Sequence, residues 1–219
     1  MKKSFIVIGL GRFGAKVATT LEQIGSDVLA IDINEESVTE VSKYLPQCVI
    51  ADATKFDVLK SLGAGSIDHA VVAIGNNLQS SILTVINLKK LGVNKITVRV
   101  DEPSHKEVLT LIGATDVVLP EEECAVSLAN EIISDSILDY YPMSADFAIV
   151  KIKIGMKFKP STLEELNIRN KFDVNIVGII NSKNEFYIPR GTDVLQPGDI
   201  IALIGKKPQI RRFNDFLNS

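Results

Sequence analysis

The apolar run Phe5-Ile6-Val7-Ile8 passes directly into Gly9-Leu10-Gly11-Arg12-Phe13-Gly14, and a second apolar run, Val28-Leu29-Ala30-Ile31, ends on Asp32. A glycine hexad alone says little. A strand, the hexad, a helical stretch, a second strand and a terminal acid in one short unit form the βαβ fingerprint of a dinucleotide-type site. Gly9 permits the tight turn, Gly11 lets a pyrophosphate approach the backbone, and Gly14 lets the helix lie close to the strand. The helix start offers free N–H groups and the positive end of its dipole to phosphates. Asp32 is placed to accept from ribose hydroxyls. The plainer reading is a glycine turn that only packs strand against helix.

The same alternation continues along the first part of the chain. Strands are predicted at 5–8, 28–31, 48–51, 70–73, 95–100 and 116–119, with helical spacing between them. Val17, Leu21 and Ile24 share one helix face; Val38, Val41 and Leu45 share another. Leu78, Ile82, Val85 and Ile86 mark a third helix, and Val108 and Ile112 a short fourth. This order predicts an α/β, Rossmann-like, doubly wound parallel sheet. From Glu121 to about Ile137 two apolar stripes run along one helix: Ala125, Leu128, Ala129 and Ile132, then Val126, Ile133 and Ile137. A surface helix needs one stripe, so the second predicts either burial on two sides or a contact with a second subunit.

Residues 1–138 are therefore expected to form the nucleotide-binding domain with its crossover helix, 139–146 a linker broken by Pro142, and 147–219 a small α+β domain. Strands in that domain are predicted at 147–154, 174–180, 186–188 and 200–204, before an amphipathic helix carrying Ile210, Phe213 and Leu217.

Composition narrows the function. A net charge of −3 gives no footprint for nucleic acid or anionic lipid. No apolar run is long enough to span a membrane, and the N-terminus enters a strand rather than a signal-peptide cleavage region. Cys48 and Cys124 lie apart without metal-ligand spacing and read as reduced packing cysteines. His69 and His105 lack ligand partners nearby in sequence, which favours structural roles.

Several motifs fall where a ligand would lie, beyond strand ends: Ile31-Asp32-Ile33-Asn34, Ala51-Asp52-Ala53-Thr54, and Ala73-Ile74-Gly75-Asn76. Asp32 and Asn34 suit ribose hydroxyls, Asp52, Ala53 and Thr54 the edge and face of an adenine, and Ala73 and Gly75 a close backbone approach. The competing reading is that these polar residues cap the following helices. Arg12 stands out, because a dinucleotide turn needs no cation. An arginine there can pair bidentately with a terminal phosphate, unless it is simply solvated.

Together with Ile112-Gly113-Ala114, Leu119-Pro120-Glu121, Leu163-Glu164-Glu165-Leu166, Val177-Gly178-Ile179 and Gln196-Pro197-Gly198-Asp199, these motifs resemble the RCK (regulator of potassium conductance) family. The likeness covers essentially the whole chain and is closest to the KtrA/TrkA-type cytosolic subunits of bacterial potassium transporters.

The resemblance implies ATP or ADP in the first domain, bound by Gly9, Gly11, Arg12, Phe13, Gly14, Asp32, Asn34, Asp52, Ala53, Thr54, Ala73, Gly75 and Arg99. It implies that Arg12 senses the γ-phosphate and that Arg99 lies near the phosphates. Glu121 would help ligate a divalent cation between the nucleotides of two subunits, or be only a first-turn helix acid. In the second domain Ile168, Arg169, Asn175, Ile176, Val177 and Pro189 coincide with a cyclic di-AMP pocket between two such domains, or form a plain dimer core. The implied assembly is a dimer, then an octameric ring, under a membrane-embedded potassium-translocating subunit at the inner face of the cell membrane. It implies no nucleic-acid partner and no direct membrane insertion.

The alternative class is an NAD(H)-dependent oxidoreductase or an NAD(H)-sensing Rossmann protein. A dehydrogenase needs an acid/base from its substrate domain, and residues 147–219 contain neither His nor Cys. No catalytic residue is assigned. A transcription regulator would need a basic DNA-reading helix, which the sequence lacks.

Overall fold

Parallel strands covered on both faces read as continuous apolar runs, and that is how the first half of the chain folds. The computed structural model describes residues 2–75, 77–132 and 134–219. Asn76, in the motif after the fourth strand, and Ile133, in the second stripe, lie outside the described residues. The chain divides into two compact units, 1–121 and 122–219.

The first unit alternates β1 (Ser4–Ile8), α1 (Arg12–Gln23), β2 (Asp27–Asp32), α2 (Glu35–Ser42), β3 (Cys48–Ile50), α3 (Phe56–Ser61), β4 (His69–Val72), α4 (Leu78–Lys90), β5 (Lys95–Arg99), α5 (His105–Leu111) and β6 (Asp116–Val118). Its six strands lie in the order β3-β2-β1-β4-β5-β6, all parallel. Side chains alternate across the pleat. Ile6, Ile8, Ile31 and Val72 join Leu59, Val85, Leu88 and Leu109 in one core layer, while Val7, Ala30 and Val71 join Ala18, Val38 and Val41 in the other.

Three helix expectations shift. Ile24 is the exposed C-cap of α1 rather than part of its packed face. Leu45 is buried but follows the end of α2. α5 buries Leu109, with Val108 exposed, because the short helix presents its other side to the sheet. The histidines have structural partners: His69 Nε2 lies 2.8 Å from Thr97 Oγ1, and burial holds its imidazole below the usual pKa. His105 lies beside Glu102. Cys48 is half-buried, as expected of a packing cysteine, whereas Cys124 is exposed, because it sits on an outer face of its helix.

α6 (Pro120–Ile132) begins at the end of the first unit and leads into the second. The second unit continues with β7 (Ile137–Pro142), β8 (Phe147–Lys153), β9 (Ser161–Thr162), α7 (Leu163–Leu166), α8 (Ile168–Phe172), β10 (Val174–Ile180), β11 (Phe186–Tyr187), β12 (Val194–Leu195), β13 (Ile200–Lys206) and α9 (Lys207–Asn218). Its main sheet has the order β11-β10-β13-β8-β7 and is antiparallel throughout. Ile210, Phe213 and Leu217 of α9 are buried against it, as their spacing predicts.

The stretch expected to be a linker is partly strand. Residues 137–142 pair with β8, and Asp139 meets Lys151 at 2.6 Å. Pro142 misled the reading because proline is tolerated on an edge strand, where its missing N–H costs no ladder bond. The division between the two compact units falls at 121/122, inside α6. Two cations near the C-terminus pack on aromatic rings: Arg212 stacks over Phe172 at 5.5 Å, and Lys206 lies 5.9 Å from the Phe147 ring centre.

Candidate functional site

A sheet whose strand order reverses between β1 and β4 leaves a crevice at the carboxyl ends of its strands, where ligands of such folds lie. That crevice is a cleft of about 900 Å³ in the first unit. Its lining brings together Gly9, Gly11, Arg12, Phe13, Asp32, Asn34, Asp52, Ala53, Thr54, Ala73, Gly75, Arg99 and Glu121, every residue expected in the first-domain site except Gly14.

Gly14 acts from behind the wall. A Cβ there would lie 1.9 Å from the Gly9 carbonyl oxygen and 3.0 Å from Ala73 Cβ. Gly9 itself has φ +93°, and a Cβ on it would lie 2.7 Å from the Ala73 carbonyl carbon. The loops after β1 and β4 therefore touch at the switch point.

Asp32 ties two loops. Its Oδ2 accepts from the Leu10 N–H at 2.5 Å and its Oδ1 from the Asn34 N–H at 2.8 Å. Each oxygen keeps a lone pair for a further donor. Asn34 caps α2 by accepting from the Ser37 N–H at 2.9 Å, which leaves its amide hydrogens free. Thr54 does not cap α3, whose N-cap is Lys55. Its hydroxyl instead donates to Asp52 Oδ1 at 2.6 Å, and this bond, against some desolvation, holds the Asp52 carboxyl below the usual range. Asn87 Nδ2 donates to the Thr54 carbonyl at 2.8 Å from α4.

Three of the helices that contribute to the cleft, α1, α2 and α4, are capped differently. α2 carries its Asn34 cap with Glu35 and Glu36 in its first turn, and α4 is capped by Asn77 accepting from the Ser80 N–H at 2.9 Å. α1 starts from Gly11 with no side-chain cap and no acid in its first turn. Instead it carries Arg12, an exposed cation at the positive end of a helix dipole, which is unfavourable by itself. Arg12 forms no hydrogen bond or ion pair among the described residues, and Lys16, one turn on, also lines the cleft. The Glu121 carboxylate feels the charge of Arg12 but is bound to Arg99, and the corner stays open to a further anion.

Arg99, expected near phosphates, is turned onto carboxylates: its Nη2 donates to Asp101 Oδ1 at 2.6 Å and to Glu121 Oε1 at 2.7 Å. The Arg99 hydrogen bond, with a smaller contribution from the charge of Arg12, holds the Glu121 carboxyl below its usual value. Among the described residues no three His, Cys, Asp or Glu side chains cluster to hold a metal. A divalent ion at a nucleotide takes one or two carboxylates and completes its shell with phosphate and water oxygens, and here the Glu121 carboxylate is bound to Arg99.

Lys16, Ile33, Ser37 and Ser80 also line the cleft and were not singled out from the sequence. Lys16 was findable as the residue one helical turn beyond Arg12. Ser37 and Ser80 were findable as third residues after the Asn34 and Asn77 caps.

In the second unit a separate cleft of about 380 Å³ is lined by Ile168, Arg169, Asn175, Ile176 and Pro189, with Val177 outside it. Val177 sits at a register irregularity in the pairing of β10 with β13.

The TrkA-N domain family matches residues 5–120 and the TrkA-C domain family residues 147–218. The chain is 43% identical over 213 residues to Ktr system potassium uptake protein C of Bacillus subtilis (strain 168), covering 97% of this chain and 96% of that one. It is 35% identical to Ktr system potassium uptake protein A of the same organism, again with 97% and 96% coverage. Among solved structures, the GsuK RCK domain superposes with a TM-score of 0.66 at 18% identity, covering all of this chain. This chain spans about half of that one, 48% of its length.

Proposed function

The chain belongs to the RCK family, in its form with a TrkA-N and a TrkA-C domain, and from that premise we propose that it is a nucleotide-sensing regulatory subunit of a potassium uptake system. ATP and ADP share the cleft of the first unit, with ribose on Asp32 and Asn34 and phosphates over the start of α1. The observation that carries this reading is the uncapped N-terminus of α1 with Arg12 unpaired at its mouth. That corner is unfavourable until a phosphate arrives.

Gating needs a ligand that binds two states of the assembly unequally, since equal binding shifts nothing. A γ-phosphate on Arg12 is such a difference between ATP and ADP. The assembly in this reading is a dimer that builds an octameric ring, in which a second copy covers the exposed Leu128 and Ile132 of α6. The ring docks on a membrane-embedded potassium-translocating subunit from the cytoplasmic side. No helix among the described residues is long and apolar enough to cross a membrane. A dehydrogenase role is disfavoured by the acid/base chemistry absent from residues 147–219.

Arg12→Ala tests the mechanism. ADP affinity is expected to change by less than about threefold, while ATP affinity falls about tenfold or more, the scale of one charge-assisted hydrogen-bond pair. Calorimetry with both nucleotides reads this directly. Equal losses for the two would make Arg12 a general phosphate or structural residue and end the switching account.

A second ligand is favoured by the cleft of the second unit, where Arg169 lies beside Asn175 and the apolar Ile168, Ile176 and Pro189. We propose that two such clefts, facing each other in a dimer, hold cyclic di-AMP, since a two-fold ligand suits a two-fold interface. Equilibrium dialysis of the full chain with the labelled dinucleotide should give saturable micromolar binding that Arg169→Ala weakens. No saturable binding by the dimer would leave this cleft as packing alone.

A further inference from the structure

Arg99 stands between two hollows. One is the large cleft; the other, of about 370 Å³, is bounded by Leu78, Ser81, Val100, Asp101, Glu102 and His105. Gly75 and Arg99 are the two residues common to both linings. They meet closely: a Cβ on Gly75 would lie 3.5 Å from Arg99 Nη1, so the guanidinium rests beside the glycine backbone. The Arg99 side chain is 16% exposed and is held there by Asp101 and Glu121 through Nη2. Its Nε is buried with no hydrogen-bond partner among the described residues.

In sheets of this order a dinucleotide lies across the switch point, one nucleoside on each side of it. The large cleft holds the side over β2 and β3. The second hollow, beside the end of β5 and the start of α4, lies where the other nucleoside would go. We infer that Arg99 is a partition that sets how long a ligand the site accepts. In the closed position it admits a nucleoside di- or triphosphate and shuts out the second nucleoside of a dinucleotide. This rests on the nucleotide reading of the cleft given above.

The fastening is conditional. Two carboxylates on one terminal nitrogen hold the arm, while the desolvated Nε gains nothing from the closed position and favours release to water. Removing a carboxylate should therefore loosen the arm without removing its charge, and removing the arm should join the two hollows. A phosphate-binding arginine behaves in the opposite way, because its loss weakens every phosphate-bearing ligand.

The test is the affinity of the full chain for ADP and for NADH, measured by calorimetry and by NADH fluorescence, with melting curves to confirm folding. The unaltered protein is expected to bind ADP at least tenfold more tightly than NADH. In Arg99→Ala the NADH affinity should rise fivefold or more, and the ratio of NADH to ADP affinity should rise with it. Asp101→Asn, which keeps the arginine and lies outside the large cleft, should move NADH affinity the same way by a smaller factor. It also carries the test if Arg99→Ala does not fold. NADH affinity unchanged or reduced in the folded variants overturns the partition, as does an unaltered protein that binds NADH as tightly as ADP. An unaltered protein that binds neither removes the nucleotide reading itself, and the partition with it.

Discussion

Gly14→Ala is expected to lower the melting temperature of the protein by roughly 10 °C and to abolish nucleotide binding, although a single methyl group is added. That methyl would sit 1.9 Å from the Gly9 carbonyl oxygen, which is backbone and cannot turn aside like a flexible side chain. Either α1 moves away from β1 or the turn at Gly9 opens, and Gly9 is already committed to φ +93° against Ala73. Overpacking of this kind costs about 3 kcal/mol or more, and near 4 °C of melting temperature accompanies each kcal/mol in a unit of this size. Calorimetric melting checks the size of the effect. A variant with unchanged stability and unchanged ADP affinity would show that α1 does not press on this turn as described. Gly11→Ala is the matched control for melting, because a Cβ there meets nothing within 4 Å.

Asp32→Ala should weaken both ATP and ADP by more than tenfold, about 1.5–3 kcal/mol, the scale of hydrogen bonds to a charged group. The loss should be the same for the two nucleotides, because ribose is common to them, and this separates Asp32 from Arg12. Melting should fall only modestly. The carboxylate sits at a strand end, and the exposed Asn34 N–H can meet water, so the cost is that of the Leu10 N–H, which loses its acceptor on a buried residue. Calorimetry showing unchanged affinity would mean that the nucleotide lies elsewhere in the cleft.

The first unit was legible because its signal is redundant. β1, β2 and β4 are apolar runs whose residues enter both core layers, and the hexad marks the turn after β1. α3 went unread, being a single short helix with one fully buried side chain, Leu59. β7 was hidden by Pro142, since an edge strand and a linker can share the same residues. The second unit was read strand by strand, but its small β9–β12 pair was not, because two-residue strands carry no period.

At the site, residue type located the cleft but not the partnerships. Nothing in Asp52-Ala53-Thr54 distinguishes a threonine that caps a helix from one that donates to the carboxylate two residues back. Likewise no spacing rule brings Arg99 to Glu121, since that pairing depends on β5 and β6 lying side by side with α6 starting at the end of β6.

The carboxylate of Asp32 has a consequence for how quickly the protein can respond. With one oxygen on the loop after β1 and the other on the loop after β2, it fastens these two walls of the cleft to each other. On the nucleotide reading proposed above, an entering nucleotide would have little chain disorder to remove, and less of its binding free energy would go into shaping the site. Such a cleft would trade one nucleotide for another at the pace of dissociation, without waiting for loops to refold, and its occupancy would follow the ratio of ATP to ADP around it.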